Sequence, residues 1–254
     1  MKTRKTWDFT PDEFAYVWAQ ETGLTGDYPW PISILESVTD ADDYDRLLLK
    51  LKSRFPPGGD PDLTGPLRVL ANPDLRIVCN GWFLGSQRRV RSVGAAIGDL
   101  GVILFQKAGS SAAFGEDIKL VVTTRSNLGK HIAATMPNMT PGSAGKLVGY
   151  TPRVRGELPP KSWLRDAEGR RPVEERIRTL LHLSRTAQGY LRIDRHLHDE
   201  RPYPLLFVSW IDVESPRAHG RYLVDADDND TIITPASEQV IAQELHRRAR
   251  LDQW

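Results

Sequence analysis

Apolar positions first recur at helical spacing in Phe14, Val17 and Trp18. The residues before them mark a helix start: Thr10 as the cap, Pro11 at the first helical position and Glu13 three residues after the cap. A helix is predicted from there to Gly23, with those three side chains facing the core. Tyr28-Pro29-Trp30-Pro31 leads into a short apolar run, Ile32 to Leu35, which reads as a strand. A second helix is predicted from Asp40 to Phe55. Asp42 and Asp43 sit near its positive end, and Lys50, Lys52 and Arg54 near its negative end. Tyr44, Leu47, Leu48, Leu51 and Phe55 make its apolar stripe, and Pro56-Pro57-Gly58-Gly59 stops it. The carboxylates between Asp40 and Asp45 read as a solvated helix start, because they already complement the dipole. A short helix follows between Pro61 and Leu70.

The period then changes to two. Leu75 to Phe83, Arg89 to Ile97, Val102 to Lys107 and Glu116 to Thr123 are strand-like, with Gly85-Ser86 and Gly98-Asp99 as hairpin turns between the first three. Turns this short force antiparallel neighbours, since parallel pairing needs a long crossover. Ser126 is placed to cap a helix reaching Met136, which Pro137 ends. Pro141 to Arg171 is rich in Gly, Pro and Arg and reads as an irregular connector with one strand, Lys146 to Tyr150. A helix using Val173, Ile177, Leu180 and Leu181 follows Pro172. Gly189 to Leu197, Pro204 to Val213, Gly220 to Asp225 and Thr231 to Ile233 read as four more strands. Thr234-Pro235 reads as the cap and first residue of a last helix to Arg250. In the second of these strands Leu205, Phe207, Ser209, Ile211 and Val213 alternate with Leu206, Val208, Trp210 and Asp212. Both faces are largely apolar, which predicts a central strand covered on both sides.

Strand–strand–strand–strand–helix therefore occurs twice, over 75–136 and 189–250, as a repeat of pattern without residue identity. The expected fold is α+β: a largely antiparallel central β-sheet with flanking helices, in two pseudo-equivalent halves related by a quasi-two-fold. One domain is expected over 1–254, its halves 1–140 and 172–254 joined by the connector 141–171.

Composition narrows the function classes. The 254 residues suffice for a sizeable core. Lys plus Arg is 34 against 33 for Asp plus Glu, a net charge of +1. That balance gives no reason to expect a nucleic-acid partner. The single cysteine, Cys79, excludes a disulfide framework and a multi-cysteine zinc site. Beside Ile77 and Val78 it reads as a buried strand thiol. No apolar stretch follows Met1-Lys2-Thr3-Arg4-Lys5 as a signal peptide requires, and none reaches the roughly 18 residues of a membrane span. A cytoplasmic location without membrane insertion is expected.

Catalytic signatures are missing. There is no phosphate loop, no dinucleotide fingerprint and no His-Glu-x-x-His helix, and Gly142-Ser143-Ala144-Gly145 has the wrong spacing for a nucleophile elbow. His196 and His198 are two apart on a predicted strand and share a face with Asp194, a set that suits a divalent transition metal; the alternative is a polar, part-exposed strand end. Asp225 to Asp230 starts like a calcium loop. Asp230 stands where that loop needs glycine and Ala236 where it needs glutamate, so a polar hairpin turn is the better reading. Arg88, Arg89 and Arg91 lie beside Trp82 and Phe83. Such a hairpin suits protein contact, since Arg and Trp are enriched at interface hot spots; the alternative is a hairpin packed on its own core.

Phe9-Thr10-Pro11-Asp12-Glu13-Phe14 followed by Tyr28-Pro29-Trp30-Pro31 resembles the opening of the EspG family, the ESX secretion-associated proteins of actinobacterial type VII secretion. Asn72-Pro73-Asp74, Ser209-Trp210-Ile211-Asp212, Gly220-Arg221-Tyr222-Leu223 and Thr234-Pro235-Ala236 follow in that family's order. The resemblance spans nearly the whole chain except the connector. It implies a quasi-two-fold fold and a cytosolic chaperone with no enzymatic activity and no cofactor. Its partner would be a PE–PPE heterodimer, bound at the apolar tip of the PPE helical bundle and kept soluble for export. That task requires an apolar groove with a polar rim. The candidate contact residues are Trp82, Phe83, Leu84, Arg88, Arg89 and Arg91 of the first hairpin, with Val240, Ile241 and Leu245 of the last helix. Two rival readings are an enzyme with a metal-assisted site at His196, His198 and Asp194, and an adaptor of the same fold with another client. A monomer or weak homodimer is expected.

Overall fold

The computed structural model describes residues 5–38, 40–86, 88–159, 169–201 and 203–252. The chain opens with β1 (Thr6–Phe9), α1 (Pro11–Thr22), α2 (Ala41–Arg54) and α3 (Pro61–Ala71). A meander follows: β2 (Leu75–Phe83), β3 (Arg89–Ile97), β4 (Leu100–Ala108) and β5 (Gly115–Thr124), then α4 (Leu128–Ala134). After β6 (Leu147–Tyr150), α5 (Thr151–Arg155) and α6 (Val173–Leu181) comes a second meander. It comprises β7 (Arg185–Asp194), β8 (Leu206–Val213), β9 (Gly220–Ala226) and β10 (Asp230–Pro235), and it ends in α7 (Glu238–Ala249).

All ten strands form one sheet in the order β1-β5-β4-β3-β2-β7-β8-β9-β10-β6. Each neighbouring pair is antiparallel. The two meanders run outward from a seam where β2 pairs with β7, and each is closed by one short outer strand. Gly81 and Gly189 face each other in this seam. The doubled pattern in the sequence is thus a quasi-two-fold about β2 and β7, and the fold is α+β as expected.

One face of the sheet carries Leu75, Ile77, Cys79, Leu191, Ile193, Val208 and Trp210, covered by Leu128 and Ile132 of α4 and Ile241 and Leu245 of α7. The opposite face is covered in two separate places. At one end Phe14 and Trp18 of α1 and Leu67 of α3 pack on Val78, Val93, Leu104 and Leu120. At the other, Val154 of α5 and Ile177 and Leu180 of α6 pack on Ile211, Tyr222 and Ile233. The middle of that face lies between the two helical groups.

Local chemistry explains the elements that position this middle. Thr10 Oγ1 accepts from the Glu13 amide at 3.3 Å, and the Glu13 carboxylate accepts from the Thr10 amide at 3.0 Å, which fixes the start of α1. Trp210 lies over the seam because two glycines make room. A Cβ on Gly81 would stand 2.7 Å from the Gln188 carbonyl oxygen, and one on Gly189 2.6 Å from the Gly81 Cα. Beside Trp210, buried Arg221 donates from Nε and Nη2 to both oxygens of buried Asp212, each at 2.7 Å. Burial pushes the Cys79 thiol up to about 12, in line with its reading as an inert strand residue.

Several expectations are corrected. Ile32 to Leu35 is no strand but a strap across the sheet. The Gln106 side chain satisfies both backbone groups of Ser33, at 3.0 and 2.9 Å, and Gly115 donates to the same carbonyl. Ser126 lies inside a 3-10 turn, Arg125–Asn127, instead of capping α4. Thr234 and Pro235 continue β10 against Leu223 and Tyr222, and Ser237 caps α7 through the Val240 amide. The seam strand β7 ends at Asp194, short of Leu197, because His196 takes φ 54, outside strand geometry. The apolar stripe of α2 is only partly covered: Leu51 is buried, Leu47, Leu48 and Phe55 are half-buried and Tyr44 is exposed. The connector contains a helix, α5, beside its strand, and its residues 160–168 lie outside the described residues, as do 1–4.

Candidate functional site

Strand alternation decides what the bare middle presents. Directly paired residues share a face, so the row Arg89–Trp82–Gln188 runs across β3, β2 and β7. Beside it run the row Arg91–Asn80–Tyr190–Ser209 and the row Val78–Arg192–Phe207. Phe207 is 51% exposed, and Leu205 just before β8 is 53% exposed. The strap adds Trp30, 51% exposed, whose indole nitrogen donates to the Tyr190 hydroxyl at 3.3 Å. Asn80 donates to the same hydroxyl at 3.2 Å, and the Tyr190 and Phe207 rings meet edge to face at 6.0 Å. A band of aromatic and polar side chains therefore lies open between two helical walls.

The expected contact residues fall into three groups. Trp82 and Arg89 are half-buried on the band, the Arg89 guanidinium 5.5 Å from the Trp82 ring. Phe83 points to the other face and packs on the core, with Arg88 over its ring at 5.1 Å, and Leu84 is exposed at the turn. The basic trio is therefore split. Arg91 is 5% exposed and donates to the Ala112 and Ala113 carbonyls. Burial and then the neighbouring Arg89 hold its guanidinium below the usual value. Ile241 and Leu245 are wholly core, at 0% and 1% exposure, because α7 lays them against the sheet beside α4. They are not a contact surface; Val240 is half-buried against the same core.

Trp30, Tyr190, Leu205 and Phe207 were not among the expected contacts. β8 is central, as predicted, but its Phe207 end is open. The signal lay in the alternation itself: a strand apolar on both faces needs two covers, and on the second face α5 and α6 reach only the Ile211 and Val213 end.

The metal-type grouping does not form. Asp194 is buried and held by Arg76 Nε at 2.8 Å and Arg192 at 3.1 Å. His196 lies beyond the strand end beside Asp199 at 3.6 Å and the Tyr203 ring at 4.7 Å, and His198 is exposed. Among the described residues no three His, Cys, Asp or Glu are grouped to hold a metal ion. The 225–230 segment is the polar hairpin turn expected. Asp227 Oδ1 accepts from the Asn229 and Asp230 amides at 2.8 and 2.7 Å, which lowers its pKa. No described helix is long and apolar enough to cross a membrane.

Comparison with known proteins agrees with this architecture. Among solved structures the chain is similar to EspG5 of Mycobacterium tuberculosis, a type VII secretion system chaperone solved in complex with the PE25–PPE41 dimer. The two share 13% identity over 98% of each chain with a TM-score of 0.59, a likeness of fold. No curated protein matches the chain. A model of the EspG family matches residues 10–247, nearly the full length. The chain belongs to the EspG family.

Proposed function

We propose that this protein is a cytoplasmic, non-enzymatic chaperone that holds a PE–PPE heterodimer by the apolar tip of its PPE partner and keeps it soluble for type VII export. Family membership and the fold shared with EspG5 support the class of partner. The observation that carries the reading is the open band formed by Trp30, Trp82, Tyr190, Leu205 and Phe207 between the two helical walls. A soluble protein rarely leaves such a cluster uncovered without a use for it. Trp30, Leu205 and Phe207 each have about half of their surface left to bury. That is roughly 1 kcal/mol per residue on contact. The mixture of aromatic rings, amides and arginine is that of an interface centre. Binding and release need no covalent step, and the band contains no nucleophile–base pair.

The test is co-expression with the PE–PPE pairs encoded in the same genome, followed by size-exclusion chromatography. A stable complex that Phe207→Glu abolishes, with the Tm of the free chaperone unchanged, is the expected result. A folded, monodisperse protein that binds none of the pairs overturns the reading. A complex indifferent to Phe207→Glu and Trp82→Ala moves the site elsewhere.

A further inference from the structure

The band is far more basic than the chain. β2, β3, β7 and β8 bring Arg76, Arg89, Arg91, Arg185 and Arg192 to this face, since Arg76 pairs with Asp194 and Arg185 with Val213 across the sheet. The same strands bring it one carboxylate, Asp194, which Arg76 and Arg192 share. Asp212, the other acid in these strands, lies on the opposite face with Arg221. Among the described residues no carboxylate pairs with Arg89, Arg91 or Arg185. A protein of net charge +1 has thus gathered uncompensated arginines around its exposed aromatic cluster. Arg185 donates to Gln188 Oε1 at 2.7 Å and to the Leu181 carbonyl, which ties it in place without neutralising it. The Arg89 guanidinium carbon lies 5.5 Å from the centre of the Trp82 ring, and among the described residues no side chain or carbonyl takes a hydrogen bond from it, so its N–H groups can meet a further acceptor.

We propose that the band selects a helical tip that carries carboxylates beside its apolar apex, with Arg89 and Arg185 as the receiving charges and Arg76 and Arg192 as a half-neutralised second pair. This rests on the chaperone reading above. An arginine without a local counter-ion carries a desolvation penalty on contact with any apolar partner, and a carboxylate in bidentate geometry removes it. A partner tip lacking acids would leave those charges buried and unpaired. The arginines therefore act as a filter among tips of similar shape, and they speed encounter at low salt.

The experiment uses the PE–PPE pair that co-elutes with the wild-type chain, with Kd measured at 50, 150 and 300 mM NaCl. The wild-type Kd is expected to rise about ten-fold or more over that range, because close charge pairs between partners are screened by salt. Arg89→Glu is expected to weaken binding by about ten-fold or more at 50 mM, and to flatten the salt dependence. Lys130→Glu, on α4 of the opposite face, stays within about two-fold, since distant charges are screened. A complex with a salt-independent Kd, or one that Arg89→Glu leaves within two-fold, overturns the filter while the chaperone reading stands. Failure of every pair to bind overturns both. Displacement of the bound pair by a single-stranded 20-mer oligonucleotide at equal concentration would reassign the arginines to nucleic acid.

Discussion

The buried Asp212–Arg221 pair, which joins β8 to β9, offers the sharpest test of how the second meander is held. Replacing Asp212 with leucine keeps a branched side chain, somewhat larger than the original, and removes both acceptors of the Arg221 guanidinium, whose bonds are 2.7 Å each. Arg221 keeps its bond to the Pro137 carbonyl and its place 5.2 Å from the Trp210 ring. Neither neutralises the charge, and the arginine is 4% exposed, so water cannot take over. Stranding one member of a buried pair costs about 3–5 kcal/mol. For a chain of this size that lowers Tm by roughly 6–20 °C. Adding Arg221→Met removes the stranded charge. The double variant should then recover to within about 1 kcal/mol of wild type, because a buried pair and an apolar replacement are often equivalent. Urea unfolding followed by tryptophan fluorescence would report all three proteins, with Trp210 as the local probe. A single Asp212→Leu change costing under about 1 kcal/mol refutes the reasoning. So does a double variant no better than the single.

Gly81→Ala should destabilise by more than about 2 kcal/mol through overpacking against Trp210 and the Gln188 carbonyl, and Trp210→Phe in the same chain should restore part of the loss in urea melts. Ile241→Ala should cost about 2–5 kcal/mol as a core cavity while leaving the affinity of the folded fraction for its client unchanged, which calorimetry at low temperature can separate. The Cys79 thiol, raised to about 12, should resist a thiol reagent at pH 8 in the native protein and react only as fast as the chain unfolds. Its unfolded value is about 8.5, so its contribution to stability is complete below that pH and is lost as pH rises toward 12, at most about 1.4 kcal/mol per unit.

The sequence made the meanders legible strand by strand, most sharply in the first. Leu75–Phe83 and Arg89–Ile97 have the bounds that alternation and turn chemistry indicated, and the Thr10–Glu13 capping box marks α1 as written. What stayed hidden depended on tertiary partners. β1 is four residues long and is a strand only because β5 receives it. Ser33 looks like strand and becomes strap because one glutamine side chain supplies both its hydrogen bonds. Ile241 and Phe207 show the same limit from opposite sides. An apolar stripe on a helix says that something covers it, and a two-faced strand asks for two covers, yet periodicity names neither. Ile241 found the sheet, whereas Phe207 stays half exposed among the described residues.

The seam also sets an order of events in folding. Within each meander the strands meet across hairpins, so their pairing closes short loops. Arg76 and Asp194, joined across the seam, are 118 residues apart. Closing a loop of that length costs about 4 kcal/mol of chain entropy on logarithmic scaling, before any seam contact is made. The hairpin contacts within each meander are therefore favoured ahead of the seam, which closes over a distance comparable to that of the β1–β5 pairing. Because the aromatic band spans that junction, a chain whose seam is still open lacks the assembled surface through which we propose it holds a client.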